Sequence, residues 1–99
     1  MSGRMSVELP ASAVADDVAA RTGDDWQVIL YNDDVNEAGR VVRILARVFG
    51  HPHALAFKIM MEAHRTGRAI AQVEEESAAH LHAGQLRANR LQAVVERIG

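Results

Sequence analysis

The sequence predicts an α+β fold in which three helices pack on one side of a small, open three-stranded sheet, in the element order β-α-α-β-α-β. Three observations carry this prediction. A β-branched and aromatic run occupies residues 26–31, two segments with helical periodicity follow it, and an apolar run closes the chain at residues 91–98. With 99 residues, the chain has room for one compact domain whose sheet cannot be covered on both faces.

The first strand and the first helix follow directly from residue type and spacing. The run WQVILY at residues 26–31 favours a strand, and the Asn and Asp residues that follow it favour a turn. A helix is predicted over residues 36–49, with Asn36 capping its start and Gly50 ending it. One face of this helix carries apolar side chains: Val41, Ile44, Leu45, Val48 and Phe49.

A second helix is predicted over residues 52–66. Pro52 suits a first helical turn, and Gly67 is placed to end the helix. Lys58 and Glu62, four residues apart, are expected to pair on the outward face. The apolar stripe is expected to consist of Leu55, Ile59 and Met60. The link between the two helices is so short that they must form a hairpin against the preceding strand.

The last third of the chain predicts a strand, a helix and a strand. Residues 68–73 predict a short strand that is weakened by its alanines. Ser77 is placed to cap a third helix that runs to about Asn89, and residues 91–98 form the last strand. The third helix is expected to bury one side made of Ala78, Leu81, Gln85 and Leu86.

Composition and charge exclude several classes of protein. A formal net charge of −2 gives no basic field for a phosphate backbone, so the sequence predicts no nucleic-acid partner. The absence of cysteine fits a reducing compartment, and no apolar run approaches the roughly 20 residues of a spanning helix. We therefore expect a cytoplasmic protein that binds no membrane. Residues 1–25 lack a sustained apolar period and predict a flexible N-terminal extension before a domain at residues 26–99.

Four polar residues are candidates for a binding site. Asn32, Asp33 and Asp34 follow the first strand, and their acceptor oxygens suit a cationic guest such as an ammonium group. The same residues also favour turns, because they bond their own backbone. His64 lies one turn after Met60, so it could border a pocket or satisfy a carbonyl at the helix end. Residue type and spacing leave both alternatives open.

The remaining motifs predict neither a metal site nor an enzyme. The pairs His51 and His53, and His80 and His82, are two residues apart, a spacing that points helical side chains away from each other. No cysteine, no G-x-S-x-G motif and no glycine-rich phosphate loop is present. We therefore expect no cofactor and no covalent chemistry.

Three motifs together resemble one known family. They are V-I-L-Y-N-D-D-V at residues 28–35, V-V-x-I-L-x-x-V-F-G at 41–50 and I-M-M-E-A-H-x-x-G-R-A at 59–69. In order and separation they resemble the ClpS family, the N-end rule adaptors of the bacterial Clp protease. The resemblance covers about residues 26–97. It implies three antiparallel strands with three helices.

The resemblance also implies a role for the polar cluster. It makes Asn32, Asp33 and His64, with Asp34 completing the motif, the group that holds the free α-amino end of another protein. A hydrophobic pocket for the first side chain is implied at Leu30, Asn36, Ala38, Val41, Met60, Ala63 and Leu91. The implied partners are the N-terminal domain of a Clp AAA+ ATPase and proteins beginning with Phe, Tyr, Trp or Leu. The adaptor itself is expected to be a monomer.

This sequence departs from the family pattern at the pocket and on the surface. Ala38 replaces a usual methionine, Ala63 a β-branched residue and Asn36 a threonine, so we expect a roomier and more polar pocket that holds Leu less well than Phe, Tyr or Trp. Residues 72–82 lack the lysine that helps the family dock on the ATPase. The alternative is a diverged ClpS-like module that modulates the ATPase without recognising degrons. Residues 1–25 could be a leader for the ATPase pore or an ordinary disordered terminus.

Overall fold

The structure of the protein is a computed structural model that describes residues 24–99. Six elements follow one another in the predicted order. The strands and helices are β1 (Trp26–Tyr31), α1 (Ala38–Phe49), α2 (His53–Thr66), β2 (Arg68–Glu74), α3 (Glu76–Ala88) and β3 (Ala93–Arg97). Most of the extension predicted at residues 1–25 lies outside the described residues. None of the described helices is long and apolar enough to cross a membrane.

The sheet is antiparallel throughout, and β1 lies at its centre between β2 and β3. Leu30 of β1 faces Ala69 on one side and Ala93 on the other. The register with β2 shifts between Val28 and Ile29, a β-bulge that places an extra residue in β2. These observations confirm the predicted α+β fold of three strands and three helices. The centre of the sheet therefore leads directly into the polar residues that follow Tyr31.

The core lies between the sheet and the helices, and alanine fills many of its positions. Val28 and Leu30 of β1 pack there with Leu45 and Leu86, and all four are at most 2% exposed. Small side chains allow the helices to approach the sheet closely. This close packing explains the alanines of β2, although alanine is a weak strand former. The buried alanines of the core are Ala56, Ala63, Ala69, Ala71, Ala79, Ala83 and Ala93.

The opposite face of the sheet is less covered. Side chains alternate along a strand, so Ile29 points away from Val28 and Leu30. Ile29 is fully buried, while its cross-strand neighbours Ile70 and Val94 are 51% and 37% exposed. The described helices therefore pack on one side, as predicted.

The first two helices begin later than predicted. α1 starts at Ala38, and Asn36 does not cap it because its side chain is bonded elsewhere. Pro52 is the residue before α2 and not part of its first turn. Gly50 and Gly67 end the two helices in the left-handed conformation, with φ of 70° and 99°, as predicted.

The buried stripe of α2 also differs from the prediction. Leu55 is 40% exposed, and the stripe consists of Ala56, Ile59, Met60 and Ala63. Periodicity explains this, since Ala56 is three and four residues before Ile59 and Met60, whereas Leu55 is offset by about 100°. Lys58 and Glu62 both face solvent but form no ion pair within the described residues. Exposed pairs contribute too little to fix two long side chains.

The third helix is capped by a different residue from the one predicted. The carboxylate of Glu75 accepts hydrogen bonds from the backbone N–H groups of Ser77 and Ala78, at 3.1 and 2.8 Å. Leu81 is 59% exposed. The buried side of α3 consists of Ala79, Ala83 and Leu86, so only Leu86 of the residues predicted for that side is buried. The last strand, β3, is shorter than predicted.

Two glycines provide a matched test of this backbone. Gly67 has φ of 99°, so Gly67→Ala should destabilise the protein by about 1 to 2 kcal/mol, because a Cβ disfavours that conformation. Gly84 lies inside α3 with open space where a Cβ would be, so Gly84→Ala should stabilise it by about 0.5 to 1 kcal/mol. Urea unfolding followed by circular dichroism measures both changes. Equal effects of the two substitutions would contradict the assigned conformations.

Candidate functional site

A cavity of about 270 Å³ opens where β1 ends. It is lined by every residue that the sequence predicts for the binding site and its pocket, and in addition by Tyr31. The lining residues are Leu30, Tyr31, Asn32, Asp33, Asp34, Asn36, Ala38, Val41, Met60, Ala63, His64 and Leu91. Residues far apart in the chain thus meet around one concave surface.

The inner wall of the cavity is apolar and comes from four parts of the fold. Leu30 belongs to β1, Val41 to α1, Met60 and Ala63 to α2, and Leu91 precedes β3. All five are buried, between 2% and 8% exposed. Because the same side chains belong to the hydrophobic core, the shape of the wall is fixed by the packing of the domain.

Backbone hydrogen bonds hold the end of β1 beside the end of α2. The N–H of Asn32 donates to the carbonyl of Gly67 at 3.0 Å, and the N–H of Gly67 donates to the carbonyl of Ala63 at 2.9 Å. On the other side, the N–H of Tyr31 donates to the carbonyl of Gln92 at 2.9 Å. His64 follows Ala63 directly, so these bonds bring the imidazole and the Asn32 amide to the same rim.

Asp33 is committed to the turn. Its carboxylate accepts hydrogen bonds from the backbone N–H groups of Val35, at 2.7 Å, and Asn36, at 3.1 Å, and from the side-chain amide of Asn36. Burial alone would raise the pKa of Asp33, but these hydrogen bonds and the nearby charge of Arg40 outweigh it and leave the pKa below its ordinary value. Asp33 therefore forms the turn that its residue type favours.

Asn36 connects three segments around the cavity. Its amide group donates to the Asp33 carboxylate and to the carbonyl of Arg90, the latter at 3.0 Å, and its oxygen accepts from Arg40 of α1 at 2.6 Å. Both amide hydrogens are used within the protein. Asn36 thus forms part of the wall. Its polar groups are engaged in hydrogen bonds within the protein, so it does not make the pocket more polar as expected.

Three acceptor groups at the rim remain largely unengaged. Asn32 donates its side-chain N–H to Asp34 across 3.4 Å, which is a long contact and leaves the amide oxygen of Asn32 free among the described residues. Asp34 and His64 are both exposed. No hydrogen bond joins the His64 ring to a carbonyl in the described part of the chain. An amide oxygen, a carboxylate and an imidazole therefore face the cavity with capacity to accept hydrogen bonds.

Three further residues around the cavity did not stand out in the sequence. Tyr31 ends β1 and lines the rim, and the guanidinium of Arg68 lies 5.8 Å from the centre of its ring. Arg40 and Arg90 are hydrogen-bonded to Asn36. Neither their residue type nor their position in the sequence marks them as neighbours of a binding site. Only the position of Tyr31, immediately before Asn32, could have indicated a role.

The histidines lie apart from any metal-type cluster. Within residues 24–99, no group of three or more His, Asp or Glu side chains is arranged to hold a metal ion. His82 instead bonds Glu74 at 2.7 Å, and His51 bonds the carbonyl of Ala71 at 2.8 Å. These imidazoles have structural partners outside the cavity.

Comparison with known proteins identifies relatives of this chain. Residues 21–94 match the family described as ATP-dependent Clp protease adaptor protein ClpS. The adapter protein ClpS of Mycobacterium marinum is 28% identical over 90 residues, an alignment covering 89% of each chain. That of Roseobacter denitrificans is 38% identical over 61 residues, covering 62% of this chain and 54% of the relative. The chain thus spans about half the length of the Roseobacter denitrificans relative.

A solved structure is similar in both fold and sequence. Agrobacterium tumefaciens ClpS2 bound to L-phenylalaninamide superposes with a TM-score of 0.70 at 27% identity, covering 76% of this chain and 98% of that one. The family match extends from before β1 into β3 and so includes all the residues that line the cavity. This protein belongs to the ClpS family of ATP-dependent Clp protease adaptor proteins.

Proposed function

We propose that this protein is an adaptor that binds N-terminal degrons and delivers them to a Clp AAA+ ATPase-protease. A degron of this kind is a free α-amino group followed by a bulky hydrophobic first side chain. The observation that carries the proposal is the cavity, in which an apolar, buried wall lies beside three acceptor groups that are largely unengaged by the described residues. The adaptor performs no covalent chemistry in this proposal, because it only holds and releases its ligand.

The acceptors at the rim match the donors of an ammonium group. An α-ammonium has three N–H donors, and it leaves water only if each finds a new partner. Asn32 can supply its amide oxygen, Asp34 its carboxylate and His64 a ring nitrogen. An acetylated or internal residue lacks these donors and leaves the rim acceptors unpaired. The polar rim therefore selects chain ends.

Asp33 has a different role from Asp34 in this proposal. The carboxylate of Asp33 is engaged in three hydrogen bonds within the turn, so it shapes the rim on which Asn32 and Asp34 lie. The exposed carboxylate of Asp34 is the one available to a ligand. We assign Asp34 to the ammonium and Asp33 to positioning.

The apolar wall selects the first side chain. Burial of a Leu or Phe side chain contributes about 1.5 to 3 kcal/mol, provided that the side chain fills its pocket. Ala38 and Ala63 leave more space than larger residues would, and a void forfeits contacts. Aromatic first residues are therefore the best ligands. The relative from Agrobacterium is bound to L-phenylalaninamide, which combines a free amine with an aromatic side chain.

Delivery to a protease requires a second surface. We propose that the N-terminal domain of a cytoplasmic Clp ATPase binds a monomer of the adaptor, supported by the family to which the chain belongs. Residues 72–82 lack a lysine and are expected to contact that ATPase through other side chains. A module without degron recognition would not need an open cavity with free acceptors, so the cavity favours the adaptor.

The first prediction concerns the ammonium site. A labelled peptide beginning with Phe should bind with its amine free and should lose binding when the amine is acetylated. His64→Ala and Asn32→Ala should each weaken binding of the free peptide by about 1 to 3 kcal/mol, because each removes a partner of a charged donor. Fluorescence anisotropy measures both effects. The control is His53→Ala, an exposed histidine of α2 outside the cavity, which should leave binding unchanged.

A second prediction separates the two aspartates. Asp34→Ala should weaken peptide binding and leave stability unchanged, whereas Asp33→Asn should cost about 1 kcal/mol of unfolding free energy, because it weakens the bonds of the turn. In the folded state the pKa of the Asp33 carboxyl lies below its ordinary value of 3.8. The stability that this carboxylate contributes is therefore present above pH 3.8 and is lost as the pH falls through the lowered pKa.

Unfolding of the wild type and Asp33→Asn at pH values between neutral and strongly acidic tests this assignment. The stability difference between the two proteins should shrink as the pH falls. A difference that stays constant with pH would contradict the role given to the Asp33 carboxylate.

A third prediction concerns the size of the pocket. Peptides beginning with Leu should bind more weakly than peptides beginning with Phe, Tyr or Trp. Ala38→Met should narrow this gap, because Ala38 is exposed at the rim and a longer side chain can cover the space there. Competition anisotropy with matched peptides gives the ranking. If Leu peptides bind the wild type at least as tightly as Trp peptides, the pocket is not widened.

A further inference from the structure

A second groove adjoins the cavity at the same end of the sheet. It is a shallow depression, wide open to solvent, and it shares Tyr31 and Leu91 with the lining of the cavity. Gln92 and Val94 extend it along the start of β3. Leu91 is buried beneath the shared border, whereas Tyr31 is partly exposed, so a molecule that leaves the cavity past Tyr31 meets this groove.

The groove and the cavity carry opposite charges. Asp33 and Asp34 line the cavity, whereas Arg87 and Arg90 line the groove and no carboxylate does. Both arginines are exposed. One end of this continuous surface thus favours a cation and the other favours an anion.

Hydrogen bonds fix the groove relative to the cavity. The carbonyl of Arg90 accepts from the side chain of Asn36, which also bonds Asp33 in the cavity. Arg87 donates to the carbonyl of Ala93 at 3.0 Å, which holds its side chain against the start of β3. The backbone of Arg90 is therefore bonded to the cavity wall, and the side chain of Arg87 is bonded to the start of β3.

The occupant of the groove follows from the function proposed above. A chain whose first side chain lies in the cavity cannot continue through the buried inner wall, so it must leave across the rim. Consecutive Cα atoms are about 3.8 Å apart. The second and third residues of the bound chain therefore lie close to the part of the rim that the chain crosses. The part of the rim at Tyr31 leads to the depression lined by Arg87 and Arg90.

We propose that the second and third residues of a bound protein chain lie in this groove, and that acidic side chains at those positions increase affinity through Arg87 and Arg90. The proposal rests on degron binding in the cavity. It adds a substrate class, namely chains with a hydrophobic first residue followed by Asp or Glu.

Matched peptides test the proposal. Each begins with Phe and continues with Asp-Asp, Asn-Asn or Lys-Lys before a common sequence, and competition anisotropy gives the affinities. Asp-Asp should bind about two- to fivefold more tightly than Asn-Asn, and Lys-Lys more weakly, which is the range of exposed ion pairs. High salt should remove the difference, because it screens exposed charges.

Three variants connect the preference to the groove. Arg87→Gln with Arg90→Gln should abolish the Asp-Asp advantage, and Arg90→Glu should shift the preference towards Lys-Lys. Lys58→Gln removes the same charge from α2, in a depression that does not adjoin the cavity, and should preserve the preference.

Two results would overturn the proposal. Equal affinity for the Asp-Asp and Asn-Asn peptides, or a preference that survives loss of both arginines, means that the chain leaves across another part of the rim. In either case the free Phe peptide would still bind better than its acetylated form if the cavity recognises degrons. Loss of that amine dependence would instead refute the function on which the groove depends.

Discussion

The site depends on the hydrogen bonds that close the turn between β1 and α1. Asp33 accepts from two backbone N–H groups, and Asn36 bonds Asp33, Arg40 and Arg90 at once. In the function proposed above, Asp33 and Asn36 shape the rim, while Asn32 and Asp34 offer acceptors to a ligand. A polar cluster that bonded only itself would form a turn, and one without internal bonds would have no fixed shape. Here neighbouring residues divide the two tasks.

The cavity is also a product of core packing. Its wall consists of side chains that stabilise the domain, so the cavity wall and the core cannot vary independently. Asn32 follows the central strand, which is hydrogen-bonded on both sides. A rim attached in this way is held by the whole sheet, which reduces the ordering that a ligand must impose.

Much of this fold follows from local sequence signals. The strand at 26–31 and the glycines that end α1 and α2 have strong local causes, and they agree with the structure. The predicted helix starts and caps that were wrong depend on competition between alternative hydrogen-bond partners. Asn36 could cap a helix but finds three better partners, and Glu75 caps α3 because its longer side chain reaches two N–H groups. The residues that the family resemblance implies for the pocket all line one cavity, whereas the positions of Tyr31 and the arginines follow only from the tertiary contacts.

The backbone of Arg90 carries a further consequence. Its φ of 69° is a conformation that glycine adopts freely and that costs another residue about 1 to 2 kcal/mol. Selection for thermal resistance alone would therefore favour glycine at this position and would remove a cation from the surface. Laboratory evolution of this domain towards heat tolerance would consequently weaken the electrostatic preference proposed above.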